Sequence, residues 1–271
     1  MPQAADPSIK FFKYQGAGND FVMIDNRSGQ FAPSNNTQAI ARLCDRHFGI
    51  GADGLILLQE KSGWDFEMIY YNADGNLSSM CGNGGRCTAA FARQLGIPAI
   101  NNTYRFLAAD GGHDALFLPN SWISLKMNDV TGVESGDQYY YLNTGSPHYV
   151  AFVPDINRID VVAAGREVRY SPRFRQEGTN VNFVQLTAGG IAVATYERGV
   201  EDETLSCGTG VTAAALASYL HTTGNMPNCI PVSTKGGQLE VCFHPANDGF
   251  RDIWLNGPAV HVFTGEMKNY L

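Results

Sequence analysis

Short apolar runs bounded by glycine, asparagine and aspartate dominate the chain, a pattern that predicts strands more often than helices. Residues 9–15 and 21–25 flank the turn Gly16-Ala17-Gly18-Asn19-Asp20, and residues 55–58 form a continuous apolar run. Residues 65–72 alternate, and further strands are predicted at 104–108, 113–118 and 123–127, with turns at Asp110-Gly111-Gly112 and Pro119-Asn120. Strands resume at 139–143 and 149–153, around Gly145-Ser146-Pro147-His148, and again where Gly178-Thr179-Asn180-Val181-Asn182-Phe183 enters an apolar run. Residues 191–196, 230–234, 239–243, 253–256 and 260–264 complete the set. Helical spacing is rarer. Ser34 or Asn36 can cap a helix with Ile40, Leu43, Cys44 and His47/Phe48 on one face, the mixed stretch 156–170 contains another, and two Ala-rich helices follow Cys81 and Cys207.

The order around those two cysteines repeats. A strand (66–71) leads through Asn72-Ala73-Asp74-Gly75 to Met80-Cys81-Gly82-Asn83-Gly84 and a small-residue helix. A second strand (191–196) leads through Glu197-Arg198-Gly199 to Ser206-Cys207-Gly208-Thr209-Gly210 and another. The copies are 207 − 81 = 126 positions apart, the size of an ordinary domain. The expected architecture is therefore α/β of the α+β type: two pseudo-symmetric domains, each a mixed β-sheet wrapped around a central helix. The first spans 1–128, the second 129–258, and a C-terminal strand in 259–271 can return to the first. The polar stretch 128–138 is the expected linker, and the cleft between halves is expected to hold both cysteines.

Composition narrows the function. With 271 residues, a net charge of −7 and a pI near 5.3, neither nucleic acid nor an anionic membrane is an expected partner. No apolar run approaches the roughly 20 residues of a membrane span, and the first residues lack a basic-then-apolar leader, so a soluble cytoplasmic protein is expected. Six cysteines occur in a chain too long to need disulfide staples. Cys44, Cys229 and Cys242 read as packing residues, and without Cys-x-x-Cys spacing no metal site is expected. Gly49-Ile50-Gly51-Ala52-Asp53-Gly54 matches a dinucleotide-binding pattern by letter, but it follows a helix and enters a strand, which is the wrong context. Turn chemistry near substrate is the remaining reading.

Cys81 and Cys207 each open a helix, where unsatisfied amides and the positive end of the dipole favour a thiolate over a thiol. The glycines beside them leave backbone amides accessible to a substrate carboxylate. Two such sites predict a pair serving one substrate, one thiolate removing a proton while the other thiol donates one. Asn19 has two readings, the left-handed residue of its turn or a ligand to substrate. Taken singly, a cysteine is a packing residue, His148 a structural group, and Glu197-Arg198 a solvated ion pair. Duplication of the cysteine setting overrides those readings.

Taken together and in order, Gly16-Ala17-Gly18-Asn19-Asp20-Phe21, Gly51-Ala52-Asp53-Gly54, Asn72-Ala73-Asp74-Gly75, Met80-Cys81-Gly82-Asn83-Gly84, Pro147-His148, Gly178-Thr179-Asn180-Val181-Asn182-Phe183, Tyr196-Glu197-Arg198-Gly199 and Cys207-Gly208-Thr209-Gly210 resemble the diaminopimelate epimerases. The resemblance implies a cofactor-independent isomerase that interconverts L,L- and meso-diaminopimelate for lysine and peptidoglycan precursors, usually as a homodimer. It also implies that Cys81 and Cys207 are the acid/base pair and that His148 and Glu197 tune them. The amides of Gly82-Asn83 and Gly208-Thr209 would hold the reacting carboxylate, and Asn19, Asn72, Asn180, Glu197 and Arg198 would line the pocket. Two positions depart from the family pattern: Gly54, where some members carry glutamine, and Ser146, where many carry asparagine. The alternatives are a proline or hydroxyproline racemase of the same fold and a non-catalytic amino-acid-binding protein. A phenazine-type isomerase fits less well because it lacks the cysteine pair.

Overall fold

The computed structural model describes residues 8–31, 36–78 and 80–268. It contains two compact units, one running to Ile123 and resuming at Pro258, the other spanning Ser124–Gly257. The expected divisions lay at 128/129 and 258/259.

In the first unit the chain runs β1 (Ser8–Gly16), β2 (Asn19–Asp25), α1 (Thr37–Cys44), β3 (Gly54–Gln59), β4 (Phe66–Asn72), α2 (Gly82–Gln94), β5 (Thr103–Ala108) and β6 (Gly111–Phe117). Strands β1 and β2 are antiparallel, β2 and β3 parallel, β3 and β4 antiparallel, β4 and β5 parallel, β5 and β6 antiparallel. Helix α2 packs against β1, β2, β3, β4 and β6. The approach is close at Gly84, where an added Cβ would lie 3.1 Å from the side-chain ends of Ile56 and Met68. Strand β3 is buried at every position but its last, as expected for a run covered on both faces. Its other face carries a core of Val22, Ile24, Ile40, Leu43, Leu55 and Leu57 beneath α1.

Asn36 caps α1, accepting a hydrogen bond from Ala39 N at 3.0 Å, whereas Ser34 lies outside the described residues. The helix stops at Cys44, before His47/Phe48. Asp45 turns the backbone to an extended conformation, and its carboxylate takes the amides of His47 and Phe48 at 2.7 Å each. Phe48 is consequently 81% exposed rather than part of the apolar face.

The second unit contains β7 (Ile123–Lys126, which crosses the division), β8 (Val130–Thr131), β9 (Glu134–Ser135), β10 (Tyr139–Asn143) and β11 (Pro147–Phe152). A 3-10 turn at Ile156–Arg158 and α3 (Val161–Arg169) follow, then β12 (Asn180–Thr187), β13 (Gly190–Glu197), β14 (Asp202–Thr204), α4 (Gly208–His221), β15 (Cys229–Thr234), β16 (Gly237–Ala246) and β17 (Gly249–Gly257). The expected linker is corrected here: β8 pairs with β17 and β9 with β10. These two-residue strands are made by backbone pairing, so a polar sequence carries no periodic sign of them. The pairing order repeats the first unit: β10–β11 antiparallel, β11–β12 parallel, β12–β13 antiparallel, β13–β15 parallel, β15–β16 antiparallel. Helix α4 packs against β10–β13 and β15–β17. At Gly210, the counterpart of Gly84, an added Cβ would lie 2.5 Å from Asn182 Oδ1.

The last strand, β18 (Val260–Lys268), belongs to the first unit. It runs antiparallel to β1, from Ser8↔Lys268 to Gln15↔Val260, and touches α2.

Candidate functional site

Cys81 is the N-cap of α2, with extended backbone (φ −104°, ψ 129°), and its carbonyl accepts from Gly85 N at 2.7 Å. Its thiol donates to Asn19 Oδ1 at 3.4 Å. Asn19 is not the left-handed turn residue. The two-residue hairpin loop places Ala17 (φ 52°) and Gly18 (φ 85°) there, as a primed turn requires, so that Asn19 begins β2 opposite Gly16. Its amide nitrogen donates to Asp53 Oδ2 at 2.5 Å. Asp53 in turn accepts from Arg46 at 2.8 Å and from the Asp20 amide at 3.2 Å, and Asp20 pairs with Arg46 at 2.8 Å and Lys13 at 2.7 Å. Burial works to raise the Asp20 carboxyl, but hydrogen bonds and charge from Arg46 and Lys13 bring it below its usual value. The glycine-rich loop 49–54 therefore contributes a carboxylate that orients Asn19.

Asn83 also reaches this group. Its Nδ2 lies 3.5 Å from Asn19 Oδ1 and its Oδ1 accepts from Arg86 at 2.8 Å. Asn72 stands at the exposed end of β4, directly across from Gly54. A Cβ at Gly54 would lie 2.5 Å from the Tyr70 ring and 2.5 Å from Tyr71 O, so glycine here is set by packing.

Cys207 repeats the arrangement as N-cap of α4 (φ −112°, ψ 113°), its carbonyl accepting from Val211 N at 2.8 Å. Its sulfur lies 3.4 Å from Thr209 Oγ1, and the Thr209 carbonyl is held by Thr144 Oγ1 at 2.8 Å. On β11, which packs against α4, His148 is fully buried. Asn182 Nδ2 donates to Tyr149 O and lies 3.1 Å from His148 Nδ1, which assigns that nitrogen as acceptor and places the ring proton on Nε2. Burial and the Arg198 charge push His148 down to about 3, against a weaker upward pull from Asn182, so the ring is neutral.

Asn180, opposite His148 in the β11–β12 register, organises the neighbouring loops. Its Nδ2 donates to Ser146 Oγ (2.9 Å) and Pro147 O (3.1 Å), and its Oδ1 accepts from Arg198 N (2.9 Å). Ser146 thus holds the Asn180 amide directly. The Arg198 guanidinium donates to Glu177 O at 2.8 Å. Glu197 ends β13 across from Asp202, and the loop between them is closed by Glu201, which accepts from Tyr196 and Tyr170 at 2.9 Å each.

Within the first unit, then, Asn19, Cys81 and Asn83 are gathered, while Asn72 lies at the strand end. Within the second, Thr209 joins Cys207, and Asn180 joins Arg198. Sequence reasoning missed Asp53, Arg86 and Asn182. Asn182 was accessible from spacing, since it lies two residues after Asn180 on a strand and so shares its face. Asp53 was hidden inside a motif read for its glycines. The expectation for Cys229 and Cys242 is corrected: directly opposed on β15 and β16, they form a disulfide, and Cys229 is exposed rather than packed. A separation of 13 residues carries no sign of that pairing until the register is known. Together with Glu240 they are the one group of potential metal ligands among the described residues, with two of the three sulfur or oxygen atoms already bonded to each other. Cys44 is buried as expected, and burial pushes it up to about 12.

The family profile for Diaminopimelate epimerase matches residues 11–113 and 140–262. A diaminopimelate epimerase of Flavobacterium psychrophilum is 52% identical over 94% of this chain and 98% of its own length. One from Chlorobaculum tepidum is 41% identical over 92% and 98%. Among solved structures, a Bacillus anthracis phenazine biosynthesis protein of the PhzF family superposes with a TM-score of 0.75 at 13% identity, covering 96% of this chain and 99% of its own. A probable proline racemase from Agrobacterium radiobacter does so with 0.66 at 14%, covering 96% and 93%. Those two share the fold alone. Both cysteine half-sites fall inside the matched ranges, and with full-length relatives at this identity the chain belongs to the diaminopimelate epimerase family.

Proposed function

We propose that this protein interconverts L,L- and meso-diaminopimelate by inverting one α-carbon without a cofactor, with Cys81 and Cys207 as the two acid/base groups. The observation that carries it is the recurrence of one local arrangement. Each thiol N-caps a helix in near-identical extended backbone, each first turn is anchored by the cysteine carbonyl, and each sulfur has a side-chain oxygen 3.4 Å away. An amino-acid Cα–H is far less acidic than any side chain, so charge developing on the carboxylate needs fixed dipoles. Helix N-termini at Gly82-Asn83 and Gly208-Thr209 supply them. One thiolate removes the proton and the other thiol returns one to the opposite face.

His148 enters as a neutral hydrogen-bonding group, beside Glu197, in tuning the second thiol. Asn19, Asn72, Asn180, Glu197 and Arg198 recognise the substrate, with Arg198 pairing its distal carboxylate. The two departures fit: Ser146 holds Asn180, and Gly54 yields its side-chain space to Tyr70. The same reading includes lysine and peptidoglycan precursor synthesis, a cytoplasmic location and a homodimer, the last checked by the mass in solution. Chiral chromatography of incubations with L,L-diaminopimelate, L-lysine and L-proline tests the substrate. Conversion of the first alone is expected, because a site with polar groups for the distal centre rejects analogues lacking it by several powers of ten. Efficient proline racemisation would overturn it.

A further inference from the structure

Arg86 lies in α2 just beyond Cys81 and is fully buried, yet among the described residues no carboxylate meets it. Its guanidinium donates to Asn83 Oδ1 at 2.8 Å and Gly82 O at 3.3 Å, and Nε has no partner. The other charges of this half-site cancel, Lys13 and Arg46 against Asp20 and Asp53. A buried charge without a counter-ion is strongly unfavourable. Burial holds Arg86 below its usual value, while the sulfurs of Cys87 and Cys81 pull it back up. Cys87 is itself pushed to about 12 by burial, and the Tyr14 hydroxyl is likewise raised, so both stay neutral. Cys81 is the remaining group of α2 that can supply the anion.

Arg86 also fixes orientation. A guanidinium only donates and a carboxylate only accepts. With Arg86 on Asn83 Oδ1 and Asp53 on Asn19 Nδ2, both amides between them have one orientation, which turns Asn19 Oδ1 toward Cys81 Sγ. In α4 the corresponding residue is Thr212, whose hydroxyl donates to Gly208 O at 2.9 Å. The two helix starts therefore match in backbone and differ in the charge carried at this position.

We propose that Arg86 is a positioning residue for Cys81: it locks the Asn83 and Asn19 amides so that Asn19 Oδ1 receives the thiol proton, and it supplies a buried positive charge for the thiolate that outweighs this preference of Asn19 for the thiol, so that Cys81 ionises more readily than Cys207. Its catalytic meaning rests on the two-thiol reading above, but its test does not. The pH dependence of iodoacetamide labelling of each cysteine, followed by peptide mapping on the full-length protein, measures thiolate formation without turnover. In the unaltered protein Cys81 should label at lower pH than Cys207. Arg86→Met should slow Cys81 labelling near pH 7 by about tenfold, the effect of one pKa unit, and leave Cys207 unchanged. Arg86→Lys, which keeps the charge but not the fork, should retain most of the Cys81 profile while raising KM through loosened amides. Equal slowing of both cysteines, or none, would overturn the proposal. Should Arg86→Met fail to fold by circular dichroism, the unaltered protein decides, and labelling of Cys207 ahead of Cys81 would overturn it. A failure of diaminopimelate turnover with the labelling order intact would count against the proposed function alone.

Discussion

Gly54 stands directly across from Asn72, and the space its side chain would fill belongs to the Tyr70 ring and the Tyr71 carbonyl, each 2.5 Å from an added Cβ. One of those neighbours is backbone and cannot rotate away. Gly54→Gln, which restores the residue some family members carry, should therefore destabilise the protein by about 1–3 kcal/mol, in the range of overpacked cores. A shift in the urea midpoint at unchanged m-value checks this; a neutral substitution would show that Tyr70 can move aside. Pairing Gly54→Gln with Tyr70→Ala should recover part of the loss. At this scale the sequence was a good guide to residue types and a poor guide to their partners. Cys81, Cys207 and Asn19 were evident, because the thiol setting is repeated and the hairpin is short. Arg86 and Asp53 were not, because their importance comes from charges and amides brought together by β2, the loop before β3 and α2.

Elements with strong local signals were legible, the two Ala-rich helices from their runs of small residues and the strands on either side of them from their apolar runs. What escaped was built by backbone pairing or by local turn chemistry: β8 and β9 inside a polar stretch, β14, and the end of α1 at Asp45. The β15–β16 hairpin shows the same limit. Cys229 and Cys242 face each other across the ladder and close a loop of 13 residues, for which chain entropy gives about 3 kcal/mol. Replacing both with serine should lower the stability of the second unit by up to that amount while leaving kcat/KM for diaminopimelate within about twofold, since neither residue belongs to the half-sites. Paired denaturation and activity measurements check both parts. A large loss of activity at full stability would assign this pair a role beyond the hairpin.

Across the molecule, buried ionisable groups make stability depend on pH in a direction fixed by His148. Burial first, and the Arg198 charge second, hold it at about 3, against 6.5 for the unperturbed group. The unfolded chain takes up a proton as pH falls below 6.5 and the folded chain does not until near 3. The stabilisation is thus fully present above 6.5 and declines through that window by at most about 1.4 kcal/mol per unit. Between pH 7.5 and 5 it should fall by about 2 kcal/mol. His148→Gln should remove that share of the acid sensitivity, read as a flatter urea midpoint against pH than in the unaltered protein. Identical slopes would mean that the imidazole gains access to a proton in the folded state.

Two different thiols serving one α-carbon leave a signature in the early time course in heavy water. When L,L-diaminopimelate is converted with Cys81 and Cys207 as separate acid and base, the product should carry one solvent deuterium at the inverted carbon from the first turnovers. Substrate recovered at that time should still carry hydrogen there, because the proton removed by one sulfur is not the one delivered by the other. Cys81→Ala and Cys207→Ala should each lower conversion by at least 10²-fold, the usual range for loss of a general acid or base. Deuterium appearing equally in recovered substrate and product from the outset would rule out the pair, since it would mean that a single group both removes and returns the proton.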